Sequence, residues 1–190
     1  MSDFICDQIF RPKNYTKSPL PRASYENCTF EGCDFSNGYL DSQNFMECTF
    51  IDCNLSNANL TNTTFNEVDF KHCKMMGLKF EDCNDFLMNF SFVDCILNLT
   101  SFYELTLKNQ CFTDCKLISV DFSKTILNNS KFENCDLEKA IFSGTSLIKA
   151  DLSSSYNIVL DPEKNKLTNA HFSLEALPGL LVKHKIKVTI

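Results

Sequence analysis

The cysteines are the residues of this chain that most readily suggest chemistry. There are 11 of them among 190 residues. The C-x4-C pairs Cys28/Cys33 and Cys48/Cys53 could suggest a zinc site. The same five-residue step continues far along the chain, however, so we expect these thiols to be small apolar packing groups without metal or disulfide. Cys111 differs because it falls at an outward position, where we expect an exposed thiol.

Catalytic residues are hard to assemble from this sequence. The histidines are His72, His171 and His184; Cys73 follows His72 directly but belongs to the inward small residues. His72 falls at an outward corner and is expected to be solvated. The sequence also lacks a glycine-rich phosphate loop. We therefore predict a protein that is not an enzyme and that uses no cofactor.

Carboxylates form the other prominent set. The formal net charge is −6, which argues against direct nucleic-acid binding. Between residues 23 and 70 there are eight acids and no Lys or Arg, and residues 81–107 add five more acids, again without a base. If the chain winds into a coil with 20 residues per turn, residues 23–70 make about 2.4 turns. At the spacing of neighbouring β-strands these turns span roughly 12 Å along the coil axis. Duplex DNA carries about seven charges over that length, so the charge densities are comparable.

Large apolar residues recur at every fifth position, which is the period of neither a helix nor a strand. The first series runs through Tyr25, Phe30, Phe35, Leu40, Phe45, Phe50, Leu55, Leu60, Phe65, Phe70, Met75 and Phe80, and the second from Leu87 through Phe92 to Leu152. A side chain that returns inward every five residues requires a corner in each repeat. The spacing therefore predicts a coiled chain with a continuous apolar core.

Small residues occupy a second inward position, two residues before each large one. Cys33, Cys53 and Cys73 are spaced by 20, so four repeats should make one turn. The step from Cys73 to Cys95 is 22, which predicts a two-residue insertion within residues 81–86, the insertion segment. We expect it to be a structural irregularity or, alternatively, a functional loop. The predicted organisation is an N-terminal cap or first coil (1–22), the repeat region (23–155) and a C-terminal element (156–190).

A position count modulo 20 places one carboxylate per coil on a single side of the coil. These residues, the acidic set, are Glu31, Asp52, Asp69, Asp94, Asp114 and Glu133. The acidic set is our candidate partner-binding face. Alternatively, acids at corners only keep the rod soluble and bond to local backbone.

The repeats resemble those of the pentapeptide repeat family, whose pattern is a small residue, Asp or Asn, Leu or Phe, and two polar residues. Residues 58–62 (ANLTN), 135–139 (CDLEK) and 150–154 (ADLSS) match it fully. The resemblance covers about 130 residues and implies an all-β solenoid, a right-handed quadrilateral β-helix. Some members, the quinolone-resistance and gyrase-protecting proteins, are implied to mimic DNA in the saddle of a type II topoisomerase such as DNA gyrase.

The C-terminal segment departs from the repeat. Ser173 is a candidate N-cap, and Leu174, Leu177, Leu180 and Leu181 could form one face of a short helix bent near residues 178–179. Ile186, Val188 and Ile190 then alternate as in a short strand. A solenoid end needs a cap, and the resemblance implies a dimerising end, so we expect a homodimer through these leucines; a simple cap is the alternative.

Two functions remain open at the level of sequence. One is a cytoplasmic, homodimeric DNA mimic that binds a type II topoisomerase, and the other is a generic protein-binding rod. The sequence shows no secretory signal and no membrane span, which favours the cytoplasm. A C-terminal dimer would put the lysine-rich half at the centre of the assembly, which counts against the mimic. The insertion segment is also shorter than the loops of the quinolone-resistance proteins, which puts drug protection in doubt.

Overall fold

The corner of each five-residue repeat is a residue in the left-handed region. The computed structural model describes residues 3–186. In almost every repeat the residue two positions after the large inward one has positive φ, as at Asn27 (48°), Gly32 (62°) and Asp52 (53°). Asn, Asp and Gly tolerate this conformation better than other residues. The repeat's preference for these residues therefore makes the chain turn every five residues.

The strands pair in parallel between successive coils. They are β1 (Asp3–Cys6), β2 (Ile9–Phe10), β3 (Ala23–Glu26), β4 (Thr29–Glu31), β5 (Asn44–Met46), β6 (Thr49–Ile51), β7 (Thr64–Asn66), β8 (Val68–Lys71), β9 (Phe90–Val93), β10 (Cys111–Thr113) and β11 (Lys131–Glu133). One sheet has the order β1-β3-β5-β7 and the other β11-β10-β9-β8-β6-β4-β2. Partners lie 20 residues apart, except that Phe70 pairs with Phe92. Isolated bridges connect the remaining sides.

Four columns of large inward residues define the four walls of the solenoid. Wall 1 has Ile5, Tyr25, Phe45, Phe65, Leu107, Leu127 and Leu147; wall 2 has Phe10, Phe30, Phe50, Phe70, Phe92, Phe112, Phe132 and Leu152; wall 3 has Tyr15, Phe35, Leu55, Met75, Leu97, Leu117 and Leu137; wall 4 has Leu20, Leu40, Leu60, Phe80, Phe102, Phe122 and Phe142. Rings stack within a wall, as at Phe30–Phe50 (4.7 Å between centroids), and meet edge to face between walls, as at Phe45–Phe50 (5.2 Å). The predicted all-β solenoid and its core are confirmed.

The small inward residues are buried, as predicted, and many donate hydrogen bonds within the core. Cys53 Sγ donates to the Phe30 carbonyl of the preceding coil (3.2 Å), and Thr125 Oγ1 donates to that of Phe102 (2.8 Å). A buried carbonyl without a partner would cost about 1–3 kcal/mol. Cysteine and threonine therefore perform the same task in different columns.

Cysteine also marks a particular kind of corner. In many corners the backbone N–H of the third residue after a large inward residue donates to the carbonyl of that inward residue, as Ala58 does to Leu55 (3.0 Å). Within residues 3–186 this bond is absent at the corners closed by Cys28, Cys33, Cys48, Cys53, Cys73, Cys95, Cys115 and Cys135. There the thiol instead contacts the carbonyl two residues earlier. These open corners follow walls 1 and 2, where the strands lie.

The prediction that Leu87 resumes the inward series is wrong. Leu87 is 62 % exposed with a positive φ, whereas Phe90 is only 3 % exposed. Phe90 occupies a small-residue position, in register with Val68. Its ring lies 5.1 Å from those of Phe80 and Phe92, so it fills the space that an inward Leu87 would have taken.

Short helices close the C-terminal end. Two 3-10 helices, Leu174–Ala176 and Val182–His184, flank the α-helix α1 (Leu177–Leu181). Ser173 precedes the first of them as predicted but makes no side-chain capping bond. A Cβ at Gly179 would lie 1.8 Å from the Ile158 carbonyl, so only glycine permits this close approach to the last coil. Val188 and Ile190 of the predicted strand lie outside the described residues.

Candidate partner-binding surface

All residues of the acidic set lie on wall 2 or at the corner that follows it, in three adjacent columns. Asp69 precedes the inward Phe of its coil and Glu31 and Glu133 follow theirs. Asp52, Asp94 and Asp114 occupy the corner column. The structure thus brings these carboxylates to one side of the rod, but it does not stack them in one line.

The corner column has the longest run of acids. It reads Asp52, His72, Asp94 and Asp114 over successive coils. His72 Nδ1 lies 2.9 Å from Asp94 Oδ2, and this hydrogen bond raises the pKa of His72 above its usual value. Asn134 donates to Asp114 (2.7 Å). Asp52 makes no side-chain hydrogen bond or ion pair within residues 3–186.

Basic side chains are interleaved with the other acids of the set. Arg11 pairs with Glu31 (2.5 Å), and Lys71 lies 3.3 Å from Asp69. Exposed pairs of this kind contribute little to stability, but each one reduces the local negative potential. The face is therefore anionic with embedded cations rather than uniformly acidic.

A second acidic edge borders wall 2 on its other side, and the position count missed it. Glu47 and Glu67 occupy the corner between walls 1 and 2 on successive coils. Together with Asp69 they line a groove of about 530 Å³ whose floor includes Val68 and Phe90. The alignment considered one column at a time, whereas two corners on either side of one wall form one surface.

The last residue of the insertion segment and the residue that follows it expose apolar side chains beside this groove. Phe86 is 71 % exposed and Leu87 62 % exposed. Both line a smaller groove of about 250 Å³ with Met46 and Asn66 of wall 1. An aromatic and an aliphatic side chain thus project beside the two acidic edges.

The candidate dimer leucines differ in their surroundings. Leu174 is 78 % exposed and Leu177 41 % exposed. Leu180 packs against the core of its own chain and Leu181 is half-buried. Val159 and Val182, which are 50 % and 57 % exposed, lie together beside Gly179 of the same C-terminal element.

The cysteines form neither disulfides nor a metal cluster within residues 3–186. All eleven cysteines are free thiols, and Cys111 is half-buried with its Sγ 3.5 Å from Thr113 Oγ1. Burial raises the pKa of the Cys48 thiol to about 11, so it remains protonated at neutral pH. Across residues 3–186 no three His, Cys, Asp or Glu side chains are grouped to hold a metal ion. No helix in that range is long and apolar enough to cross a bilayer.

These features define a four-walled parallel β-solenoid with a charged exterior. The family model "Pentapeptide repeat region" matches residues 23–85 and 86–156. The chain belongs to the pentapeptide repeat family. The second match begins at Phe86, next to the insertion segment, so the boundary between the matches coincides with the change of register.

Solved structures of this family resemble the whole chain. Full-length QnrB1, a plasmid-mediated fluoroquinolone resistance protein, has a TM-score of 0.62 at 16 % identity, covering 96 % of this chain and all of its own. A trypsin-treated QnrB1 form has a TM-score of 0.62 at 17 % identity over both full chains. HetL, a heterocyst differentiation regulator from the cyanobacterium Nostoc, has a TM-score of 0.52 at 18 % identity, covering 89 % of this chain and 85 % of its own. Identities this low establish the fold alone. No curated protein matches the sequence.

Proposed function

We propose that this protein is a DNA-mimicking rod that binds a type II topoisomerase such as DNA gyrase through wall 2. The observation that carries the proposal is the arrangement of acids along both edges of that wall. Glu47 and Glu67 line one edge, and Asp52, Asp94 and Asp114 line the other. The similarity to QnrB1, a fluoroquinolone resistance protein, supports the same partner class.

The mimicry has a simple geometric basis. Duplex DNA presents two charged backbones on either side of a groove. Wall 2 presents two charged corners on either side of a strip that includes Thr29, Thr49 and Ser91. Coils repeat about every 4.8 Å, so charges on one edge are more widely spaced than phosphates along a strand. A protein surface that binds DNA phosphates would therefore meet carboxylates along each edge of wall 2, with fewer charges per unit length than along a DNA strand.

We further propose that the protein acts as a homodimer joined through its C-terminal helices. Leu174 and Leu177 are exposed although they are large and apolar. Val159 and Val182 are also exposed in the same C-terminal element. Burial against a second copy would remove this surface from water, at about 25 cal/mol per Å². Leu180 already packs on its own chain and serves as a cap.

A generic protein-binding rod is the second candidate function. The interleaved basic side chains of Arg11, Lys71 and His72 favour it, because they weaken the resemblance to a DNA backbone. Phe86 and Leu87 favour it as well, since an apolar contact has no counterpart in DNA binding. Such a partner would bind through the loop at least as strongly as through the acids.

Gyrase supercoiling assays separate the two functions. The wild-type protein should inhibit supercoiling at micromolar concentration and compete with linear DNA for gyrase. The triple variant Asp52→Asn, Asp94→Asn, Asp114→Asn should lose at least tenfold in potency. A matched control, Glu26→Gln, Asp82→Asn, Glu138→Gln, removes three charges from the other sides and should change potency less than twofold.

Three results would count against the mimic. The first is that wild-type protein leaves supercoiling and DNA binding by gyrase unchanged, and the second is that both triple variants lose the same potency. The third favours the generic rod: the wall 2 triple variant keeps its potency, whereas the double variant Phe86→Ser, Leu87→Ser loses potency. Sedimentation of Leu174→Glu, Leu177→Glu tests the dimer separately, because this variant should be monomeric where wild type is dimeric.

A further inference from the structure

The first coil differs from all later coils at its small inward positions. In later coils most of these positions are buried and hold Ala, Cys, Thr or Ser, whereas the first coil has Asp3, Gln8, Lys13 and Ser18, and all four are exposed. Asp3 is in register with the buried Ala23. These side chains therefore lie at the end of the inward columns, on the terminal face of the solenoid.

The centre of this N-terminal end face is apolar. Ile5 and Phe10 are only half-buried, although they belong to the inward columns of walls 1 and 2. One side of the Phe10 ring stacks on Phe30 at 4.6 Å, and among residues 3–186 no second ring stacks on it. The strands β1 and β2 likewise have partners on one side only. In contrast, the C-terminal end has helices over its last coil.

Two opposite charges stand on opposite walls of this end face. Asp3 precedes Ile5 on wall 1, and Lys13 precedes Tyr15 on wall 3. The Lys13 ammonium lies 5.0 Å from the centroid of the Tyr15 ring, so this side chain folds over the end of the wall 3 column. Neither charge has an ion-pair partner among residues 3–186, whereas Arg11 and Arg22 of the same coil are paired with Glu31 and Asp41.

We infer that two copies of this protein associate through their N-terminal end faces. A two-fold axis that lies in the end face and passes through walls 2 and 4 brings wall 1 of one copy opposite wall 3 of the other. Asp3 of each copy then meets the partner's Lys13, which gives two equivalent ion pairs. Ile5 and Phe10 meet the apolar centre of the second copy, so the surface is complementary to itself.

The interface is small, because it is limited to the cross-section of one rod. Interfaces below about 1,000 Å² of total buried surface are weak or transient. We therefore expect association in the micromolar to millimolar range, and we expect salt to weaken it, since two exposed ion pairs contribute to it. The inference does not depend on topoisomerase binding.

Exchanging the charges of Asp3 and Lys13 tests this interface. The protein carries no N-terminal tag, and the double substitution Leu174→Glu, Leu177→Glu is present throughout as a background that removes the proposed C-terminal contact. Sedimentation equilibrium should show concentration-dependent dimers of this background protein. Asp3→Lys and Lys13→Asp should each weaken association by about tenfold, because each creates two like-charge contacts. An equimolar mixture of the two variants should restore it, because every contact in the mixed dimer is again Asp–Lys.

The controls separate loss of folding from loss of association. Circular dichroism and melting temperature of both variants should match the background, since Asp3 and Lys13 are exposed. Lys17→Asp, a charge change in the same coil away from the inward columns, should alter association less than threefold. The inference is overturned if the background protein stays monomeric to millimolar concentration. It is also overturned if the mixed variants associate no better than each variant alone.

Discussion

The coils before the insertion segment and those after it use different pairs of walls for their aromatic side chains. Before it, most inward aromatics occupy the adjacent walls 1 and 2, with Tyr15 and Phe35 on wall 3 and Phe80 on wall 4, and Phe45 meets Phe50 at 5.2 Å. After it, they occupy the opposite walls 2 and 4, and Phe112 meets Phe122 across the core at 5.9 Å. The wall 1 aromatics end at Phe65. The insertion segment is thus the place where the core changes its packing pattern.

The backbone changes together with the core. Before the insertion segment, corners after walls 1 and 2 are open and both walls form sheets. After it, Ser130 and Ala150 follow wall 1 and donate to Leu127 (3.2 Å) and Leu147 (3.0 Å), so wall 1 has hydrogen-bonded turns instead of strands. Cysteine corners persist only after wall 2. Whether a wall forms strands or turns therefore correlates with the residue at its corner, and not with the inward Phe or Leu alone.

The two halves also differ in charge. Residues 1–107 contain 15 acids and 7 bases, and residues 108–190 contain 9 acids and 11 bases. Their formal charges are therefore −8 and +2. Any partner that reads negative charge should bind the first half.

The largest expected effect is at the junction between the halves. Phe90→Ala should destabilise the protein by about 3–5 kcal/mol, because it empties the position that joins the two packing patterns. Leu87→Ala is the matched control, since both residues lie in the same segment, and it should cost less than about 0.5 kcal/mol. Urea unfolding measures both. Equal losses would contradict the assignment of Phe90 as the buried residue.

Alkaline pH should weaken the cysteine-rich first half. The folded pKa of Cys48, about 11, lies above its ordinary value of 9.0. The unfolded thiol therefore ionises first, so stability is complete below about pH 9 and falls as pH rises toward 11. Each buried thiol of this kind costs about 1.4 kcal/mol per pH unit in that window.

Cys48→Ala tests that cause directly. Its urea stability should fall less steeply between pH 9 and 11 than that of wild type, by about the contribution of one thiol. Alanine occupies the equivalent position at Ala150, where it is fully buried, so the fold should tolerate it. Identical pH dependence in both proteins would remove Cys48 as a source of the effect.

The equivalence of threonine and cysteine as core donors predicts an intermediate effect. Thr125→Ala should cost about 1 kcal/mol, because it removes one buried hydrogen bond to the Phe102 carbonyl, which keeps the backbone N–H of Leu105 as a donor (3.2 Å). Thr125→Cys retains a donor and should cost less than half as much. Thermal unfolding of the two variants measures the difference. If cysteine proved as costly as alanine, the thiols of the other columns would be packing groups only.

The smallest stability effect is expected on the charged surface. Asp52→Asn should change the free energy of unfolding by less than about 0.5 kcal/mol, because asparagine also tolerates the positive φ of this corner. Calorimetry of this variant, together with the binding assays described above, tests whether the acids of wall 2 contribute to binding and not to the stability of the fold. A large destabilisation would show that Asp52 supports the fold instead.

Much of the fold follows from the spacing of residue types. The period of five predicts the inward residues, and the period of 20 predicts which of them stack, as for Phe30 and Phe50. Leu87 was misplaced because it satisfies the period, whereas Phe90 stands at a position that elsewhere holds a small residue. Periodicity records position but not the volume to be filled, so it fails where the packing pattern changes.

The candidate surface was less predictable than the fold. Counting modulo 20 found the side that holds Asp52 and Asp94, but it could not assign their columns or find the opposite edge at Glu67. It also could not show that Lys71 reaches Asp69 within its own strand or that His72 reaches Asp94 of the next coil. Such contacts depend on side-chain conformation, which residue spacing does not encode.

The backward direction of the core hydrogen bonds bears on how the chain is built during synthesis. Cys53 and Thr125 each donate to a carbonyl 23 residues nearer the N-terminus. Every new coil therefore supplies donors to carbonyls of the coil already formed, while N–H groups of that earlier coil, such as that of Phe35, bond to carbonyls of the new one (Asn54, 2.7 Å). A chain that emerges from the ribosome N-terminus first can add coils in order, with only its newest layer left incomplete at any moment.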